Sequence, residues 1–500
     1  MLNQSQVILK KIYYSLLCFF IAGVIFLGYF IFISRITHEN QQFLLIGIFG
    51  IFISFLLLFG LQFLWLKKIH EYSNYLFHPP VQINIWITIL WVIPAILSIL
   101  YPDFLLSKDL YFVLDFNYYI FGLFLVLIGC LLIWLPYTIG IRLFKPLSFL
   151  QKLATKDIKL FYLYGLFFFS LLFEFLQISI SGIAFSADRQ AFGRFVSLYQ
   201  WIIYIIDLRF LVIVIVAFKV FKEKLRLRYL LFLVAIQVVS SFSSVFIKPF
   251  FSLALIVIIS YLLARGSYKK ILYFGFVSIL ILIIVIPIIG DLRDQINYQT
   301  INPKDLKQVI NATFNAVNNT WFRSISYSWN LFLEKAFFRQ SIVAYMPGII
   351  MLTTPKIIPF FGFSQFFWIP TYLIPRIIWL DKPQLAKGDW FGITYLNQPS
   401  DQSSSAAMTI FGESYMYSGW VGTVFACLLL GILLSIITKN TLDAGLSCVF
   451  IALLPTFIDV ENQFSGIFIS LIHRTVFYLF IYWLLVYLSK TKITNGKRQL

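Results

Sequence analysis

The sequence predicts an all-α polytopic membrane protein, and three observations carry that expectation. Of 500 residues, 60% are hydrophobic and 12% charged, against about a quarter charged in a soluble domain. The apolar residues gather in repeated runs of about 18 or more, the length a helix needs to cross a bilayer. These runs are continuous, whereas barrel strands alternate apolar and polar residues. Hydrocarbon leaves the backbone no partner but itself, so helices follow. The third observation is an interruption: from Asp291 to Glu413 the apolar runs give way to a polar, aromatic and proline-rich insert. The expected layout is about 12 transmembrane helices in three parts. Residues 1–290 form a bundle of about nine spans, 291–413 a long outer insert, and 414–500 the last spans and a tail.

The spans are expected at about residues 12–33, 42–66, 83–102, 112–136, 160–182, 199–221, 229–247, 249–264, 271–290, 414–437, 444–459 and 463–488. The first run follows Lys10 and Lys11. It is too long for a signal-peptide core and shows no small-residue cleavage pattern, so it is expected to stay as a span.

Orientation follows from the positive-inside rule. With the N-terminus inside, the inner segments hold 21 Lys and Arg, and the short outer loops hold five: Arg35, Lys108, Arg189, Arg194 and Lys248. The alternation runs unbroken, so both termini are expected in the cytoplasm and the insert outside the cytoplasmic membrane. It also accounts for most of the net charge of +18 as topogenic charge, with no nucleic-acid footprint.

The insert holds ten Lys or Arg and eight Asp or Glu, so it is nearly neutral. Residues 341–380 are apolar but broken by Pro347, Pro355, Pro359, Pro370 and Pro375, a density that ends or kinks helices. One or two short helices are expected there, lying at the interface or re-entering the membrane. Residues 300–338 look helical, and Gln384–Ala406 reads as loop.

No metal or cofactor is expected. Cys18, Cys130, Cys427 and Cys448 all fall inside predicted spans without ligand spacing. His38, His70, His78 and His473 form no ligand motif, and no Gly-rich phosphate loop is present.

Ionisable residues at membrane depth are costly and are functional candidates by default. Asp207 and Arg209 lie two apart in the sixth predicted span, so they do not share a helix face, and either can pair with a neighbouring span. Glu174 is the expected partner in the fifth. His473 and Arg474 form a second polar spot. Around the outer rim lie Arg189, Arg194, Lys248, Arg293, Arg323, Arg376 and Lys382. Arginine matches phosphate oxygens two at a time and stays charged near a membrane, so this set, with Arg209, suits a pyrophosphate. Glu413 and Asp381 are the candidate bases, with Glu413 equally suited to the start of a helix, where the dipole favours a carboxylate. Trp379 and Tyr415 suit sugar rings.

The chain resembles the Wzy-type polymerases of bacterial O-antigen and related surface polysaccharides. The resemblance rests on P-R-I-I-W-L-D-K-P at 375–383, then Phe391 and Tyr395, then G-E-S-Y-M-Y-S-G-W-V-G at 412–422, followed by a Gly-containing span at Leu428–Leu434. The R-x10-G pattern of some members is absent, since Arg376 to Gly388 misses it by one residue. The resemblance implies a metal-independent glycosyltransferase acting at the outer face of the cytoplasmic membrane. A glycan on undecaprenyl pyrophosphate would pass to the terminal sugar of a new lipid-linked repeat unit, with Arg376 at the pyrophosphate. It also implies a chain-length regulator as partner, besides membrane lipid.

Three rivals stand beside it. An O-antigen ligase shares the donor but often uses an outer-loop histidine, and this insert has none. A lipid-linked oligosaccharide flippase or other transporter suits twelve spans, but no internal repeat is visible. A transferase using polyprenyl-monophosphate sugars typically has paired carboxylates in the first outer loop, which here offers only Glu39.

Overall fold

The computed structural model describes residue 23 and residues 41–69, 77–100, 117–181, 196–223, 225–242, 248–265, 284–292, 295, 306–322, 339–374, 379, 388–397 and 408–491. These residues form helices and no strand. In chain order the main helices are α1 (Gln41–Ile69), α2 (Pro79–Ile87), α3 (Ile93–Leu100), α4 (Asn117–Leu143), α5 (Leu160–Ser181), α6 (Val196–Lys222), α7 (Arg228–Phe242), α8 (Lys248–Arg265), α9 (Leu306–Phe322), α10 (Arg339–Thr353), α11 (Gly388–Leu396), α12 (Ile410–Asn440), α13 (Ser447–Phe457) and α14 (Phe464–Thr491).

Six helical stretches among the described residues are long and apolar enough to cross a membrane: Ile46–Trp65, Pro79–Ser98, Asn117–Leu143, Leu160–Ser179, Ile410–Asn440 and Phe464–Lys490. A helical membrane protein is therefore shown; the predicted twelve spans are not. The differences have identifiable causes. The first predicted span and most of the ninth fall outside the described residues. Helix α6 has 27 residues but carries Asp207, Arg209, Lys219 and Lys222. Stretches in α7, α8 and α13 are apolar but short.

Helix α4 is the axis of the bundle. Gly122, Gly129 and Gly140 sit at steps of 7 and 11, close to whole numbers of helical turns, so they share one face. Each admits a neighbour that a side chain would exclude. A Cβ on Gly122 would lie 2.7 Å from the Gly348 nitrogen of α10. On Gly129 it would lie 2.3 Å from the Phe411 ring, and on Gly140 2.1 Å from Ser435 Oγ, both in α12. Gly431 of α12 reciprocates against the Ile133 carbonyl and Pro136. Small residues of this kind let helices approach where apolar burial gives no drive against lipid.

Helices α2 and α3 are joined by a π turn, Thr88–Val92. Pro94 follows two residues later. Proline lacks an N–H and its ring crowds the carbonyl four residues back, and a widened turn relieves both. Thr88 Oγ1 donates to the Asn84 carbonyl at 2.8 Å within this stretch.

The basic loops gather at one end. The Leu147 amide donates to Asn440 Oδ1 at 3.1 Å, and the Lys159 amide to Ser489 Oγ at 3.1 Å. Lys219 pairs with Asp157 and, at 3.4 Å, with Glu223. Lys439 meets Asp443 at 2.7 Å, and Arg142 lies over the Trp65 ring at 5.3 Å.

The insert joins the bundle interior. Val343 through Ile350 of α10 are all buried, so protein covers every side of that stretch. A helix lying flat on a membrane would keep one side open. The segment thus packs into the bundle, against α4 and α12. Gly348 makes it possible, since a Cβ there would lie 1.8 Å from the Tyr118 carbonyl oxygen. Residues 384–406, expected as loop, contain α11. Its Phe391 is fully buried, and tertiary packing outweighs the two glycines of G-D-W-F-G.

Candidate functional site

The site grows from a reversal inside α12. Its helical geometry breaks at Ser418 and Gly419, where Gly419 has φ 62°, a region open to glycine at no cost. Residues on either side of the break meet again. Phe411 and Cys427 are sixteen positions apart, about 24 Å along a straight helix. Yet both stand at Gly129, where a Cβ would lie 2.3 Å from the Phe411 ring and 3.5 Å from Cys427 Sγ. Likewise a Cβ on Gly422 would lie 2.3 Å from the Ser414 carbonyl oxygen. The first limb, residues 410–417, therefore runs back along the second.

A helix end leaves carbonyls without partners, and the insert supplies them. The Phe361 amide donates to the Met416 carbonyl at 3.0 Å, and the Gly362 amide to the Tyr417 carbonyl at 2.9 Å. At the other end Thr409 caps the limb, its Oγ1 accepting from the Gly412 amide at 3.1 Å. Thr409 does so at φ 64°, a strained conformation for a β-branched residue. The Ile410 amide reaches the Val460 carbonyl at 3.3 Å.

Glu413 lies on this limb and is 2% exposed. Its Oε1 accepts from Tyr417 Oη at 2.7 Å and from Ser465 Oγ at 2.8 Å. Its Oε2 accepts from the Ser465 amide at 2.8 Å. Tyr415 is buried against Phe360 and Trp420, ring centroids 6.1 and 6.0 Å away. An aromatic cluster continues into the insert. Phe366 stands against Tyr417, and Phe361 against both Tyr417 and Trp390. Thr354 and Tyr395 share a hydrogen bond of 2.6 Å. Burial pushes the Tyr395 phenol above its usual range, and that hydrogen bond works the other way.

Polar pairs tie the other helices together. Gln340 Nε2 donates to Glu461 Oε1 at 2.7 Å, and Lys248 pairs with Asp459. Arg474 reaches Asp207 and Thr456, each at 2.5 Å, and Tyr204 bonds His473 Nδ1 at 3.1 Å. Arg209 holds Glu174 through two nitrogens, with Ser240 at 2.5 Å from Nη1.

Of the predicted site residues, then, Glu413 and Tyr415 both lie on the reversed limb. Arg209 and Lys248 each carry a carboxylate partner, and their charge is engaged. Trp379 is half-buried. Arg189, Arg194, Arg293, Arg323, Arg376, Asp381 and Lys382 lie outside the described residues. Among the described residues, no three His, Cys, Asp or Glu side chains come together as a metal site would need. Sequence reading missed Tyr417, Ser465 and the turn Asp459–Gln463. The available signal was the polar run G-E-S-Y-M-Y-S-G opening an apolar span, with Ser-Gly as a break point.

No protein-family model matches this chain, and neither a curated protein nor a solved structure does.

Proposed function

We propose that this protein is a membrane glycosyltransferase that polymerises undecaprenyl-pyrophosphate-linked repeat units into a surface polysaccharide. One observation carries the reading. Two of the stretches that carry the resemblance to the Wzy-type polymerases, Phe391 with Tyr395 and residues 412–422, come together through Phe361. Phe361 contacts both Tyr417, from G-E-S-Y-M-Y-S-G-W-V-G, and Trp390, beside Phe391. Tyr395 is tied to Thr354. Irregular backbone at membrane depth needs burial in protein or a wet cavity, and the reversed limb with its cap supplies such a setting.

In this reading the end of the bundle that holds Lys248, Asp459 and Glu461 faces outward. The acceptor hydroxyl attacks the anomeric carbon of the growing chain, and undecaprenyl pyrophosphate leaves with the bonding electrons. Arg376 and Lys382, with Arg189, Arg194, Arg293 and Arg323, meet the departing charge, the kind of electrostatic work that lowers a barrier most. Asp381, flanked by Leu380 and Lys382, takes the hydroxyl proton. The donor carries its own activation, so no nucleotide site is required.

A second reading has its own support. Broken helices and charge pairs at membrane depth are also the parts from which transporters are built. One experiment separates the two: purified protein, a defined undecaprenyl-pyrophosphate oligosaccharide, chelator, and no nucleotide sugar. A ladder spaced by whole repeat units supports the polymerase. If no ladder forms and labelled lipid crosses liposomes that contain the protein, the transporter reading replaces it.

A further inference from the structure

We infer that Glu413 is a positioning residue: it clasps the reversed limb of α12 to the start of α14, and its work is to accept hydrogen bonds, not to take a proton. Among the described residues, Tyr417 Oη, Ser465 Oγ and the Ser465 amide donate to its carboxylate. Both oxygens are engaged and the residue is 2% exposed. The Ser465 amide is one of the N-terminal N–H groups that α14 cannot satisfy itself. The donor set thus joins one turn of the reversed limb to the first turn of the last helix. The other links of this limb are of a different kind. Phe411 fits against Gly129, Ile410 makes a backbone bond to Val460, and the insert caps the carbonyls of Met416 and Tyr417. Glu413 supplies side-chain hydrogen bonds that tie the limb to α14.

Positioning and proton transfer make opposite demands at this position. A glutamine fits the clasp. Its Oε1 accepts from the Ser465 amide, and its Nε2 donates to Ser465 Oγ or Tyr417 Oη, whose hydroxyls turn to suit. Alanine instead leaves the Ser465 amide and the Tyr417 hydroxyl buried without an acceptor, the costly outcome for polar groups away from water. A general base behaves differently, because glutamine takes no proton and the rate falls by about 10²–10⁴.

The test uses the full chain in detergent or liposomes and two measurements. Hydrogen exchange over residues 409–420 reports the limb itself. Ladder formation reports the activity, and only that part rests on the polymerase reading. Under the inference, Glu413→Gln keeps wild-type protection over 409–420 and forms the ladder within about threefold of the wild-type rate, far from the 10²-fold loss of a base. Glu413→Ala exchanges at least about tenfold faster there, as local opening predicts, while residues 425–440 stay protected. Ser465→Ala, which removes one hydroxyl, falls between them and serves where the alanine variant does not fold. A Glu413→Gln protein with intact protection and no ladder overturns the positioning role. Unchanged exchange in both Glu413→Ala and Ser465→Ala overturns the clasp. If the wild type forms no ladder, the polymerase reading fails, and the exchange measurement still decides the clasp.

Discussion

Arg209 of α6 and Glu174 of α5 face each other as a two-point pair, Nη1 to Oε2 at 2.6 Å and Nη2 to Oε1 at 3.1 Å. Their side chains are 4% and 15% exposed, and Ser240 of α7 completes the set. Three helices therefore meet at one ionic contact. Removing one partner of a buried pair leaves an uncompensated charge and costs about 3–5 kcal/mol, whereas replacing both by apolar residues is often neutral. Arg209→Met alone should lower thermal stability in detergent strongly, and the double variant Arg209→Met/Glu174→Leu should recover most of it. A single variant as stable as wild type would show that the pair does not hold these helices.

Asp207, two residues before Arg209, turns to α14 and Arg474 instead. The side chains of Arg474 and Asp207 are 23% and 18% exposed, while Lys248, paired with Asp459, is 58% exposed. A double-mutant cycle should find a coupling of about 1–3 kcal/mol for Asp207 and Arg474. The same cycle on Lys248 and Asp459 should stay below about 1 kcal/mol. Equal couplings would contradict the difference in exposure.

Gly129→Ala places a methyl in the Phe411 ring, since the Cβ would lie 2.3 Å away. Overpacking of this kind costs about 1–3 kcal/mol. Faster hydrogen exchange should appear over 409–417 more than over 428–440, and Phe411→Leu in the same chain should relieve part of it. Equal loss across the whole of α12 would argue against a separate reversed limb.

Arg376→Ala should abolish ladder formation in a protein that still inserts and stays folded, if Arg376 meets the pyrophosphate. Normal chain lengths in that variant would remove it from the proposed mechanism.

The long helices were legible in the sequence because hydropathy measures environment. The run at 42–66 matches α1, 160–182 matches α5, and 463–488 matches α14 to within a few residues. Direction inside the bundle is not written in hydropathy, so the reversal at Gly419 and the burial of α10 stayed hidden. Contacts follow the same division. Glu174 with Arg209, on neighbouring predicted spans, was readable as a pair. Asp207 with Arg474, 267 positions apart, had no local signal. The face of α4 formed by Gly122, Gly129 and Gly140 emerges only once the structure shows what presses on each.

A limb that turns back adds apolar length without adding a crossing. By composition, Ile410–Asn440 counts as one span of 31 residues. Only the part from Trp420 to Asn440, 21 residues and about 31 Å long, runs unbroken. Parity is therefore blind to the reversal: the chain leaves α12 on the side it would reach had the first limb been a surface loop. A reporter fused after Asn440 answers as it would for a plain helix, and the charge bias of the later loops is undisturbed. One stretch of chain thus builds an interior structure while leaving the protein's sidedness untouched.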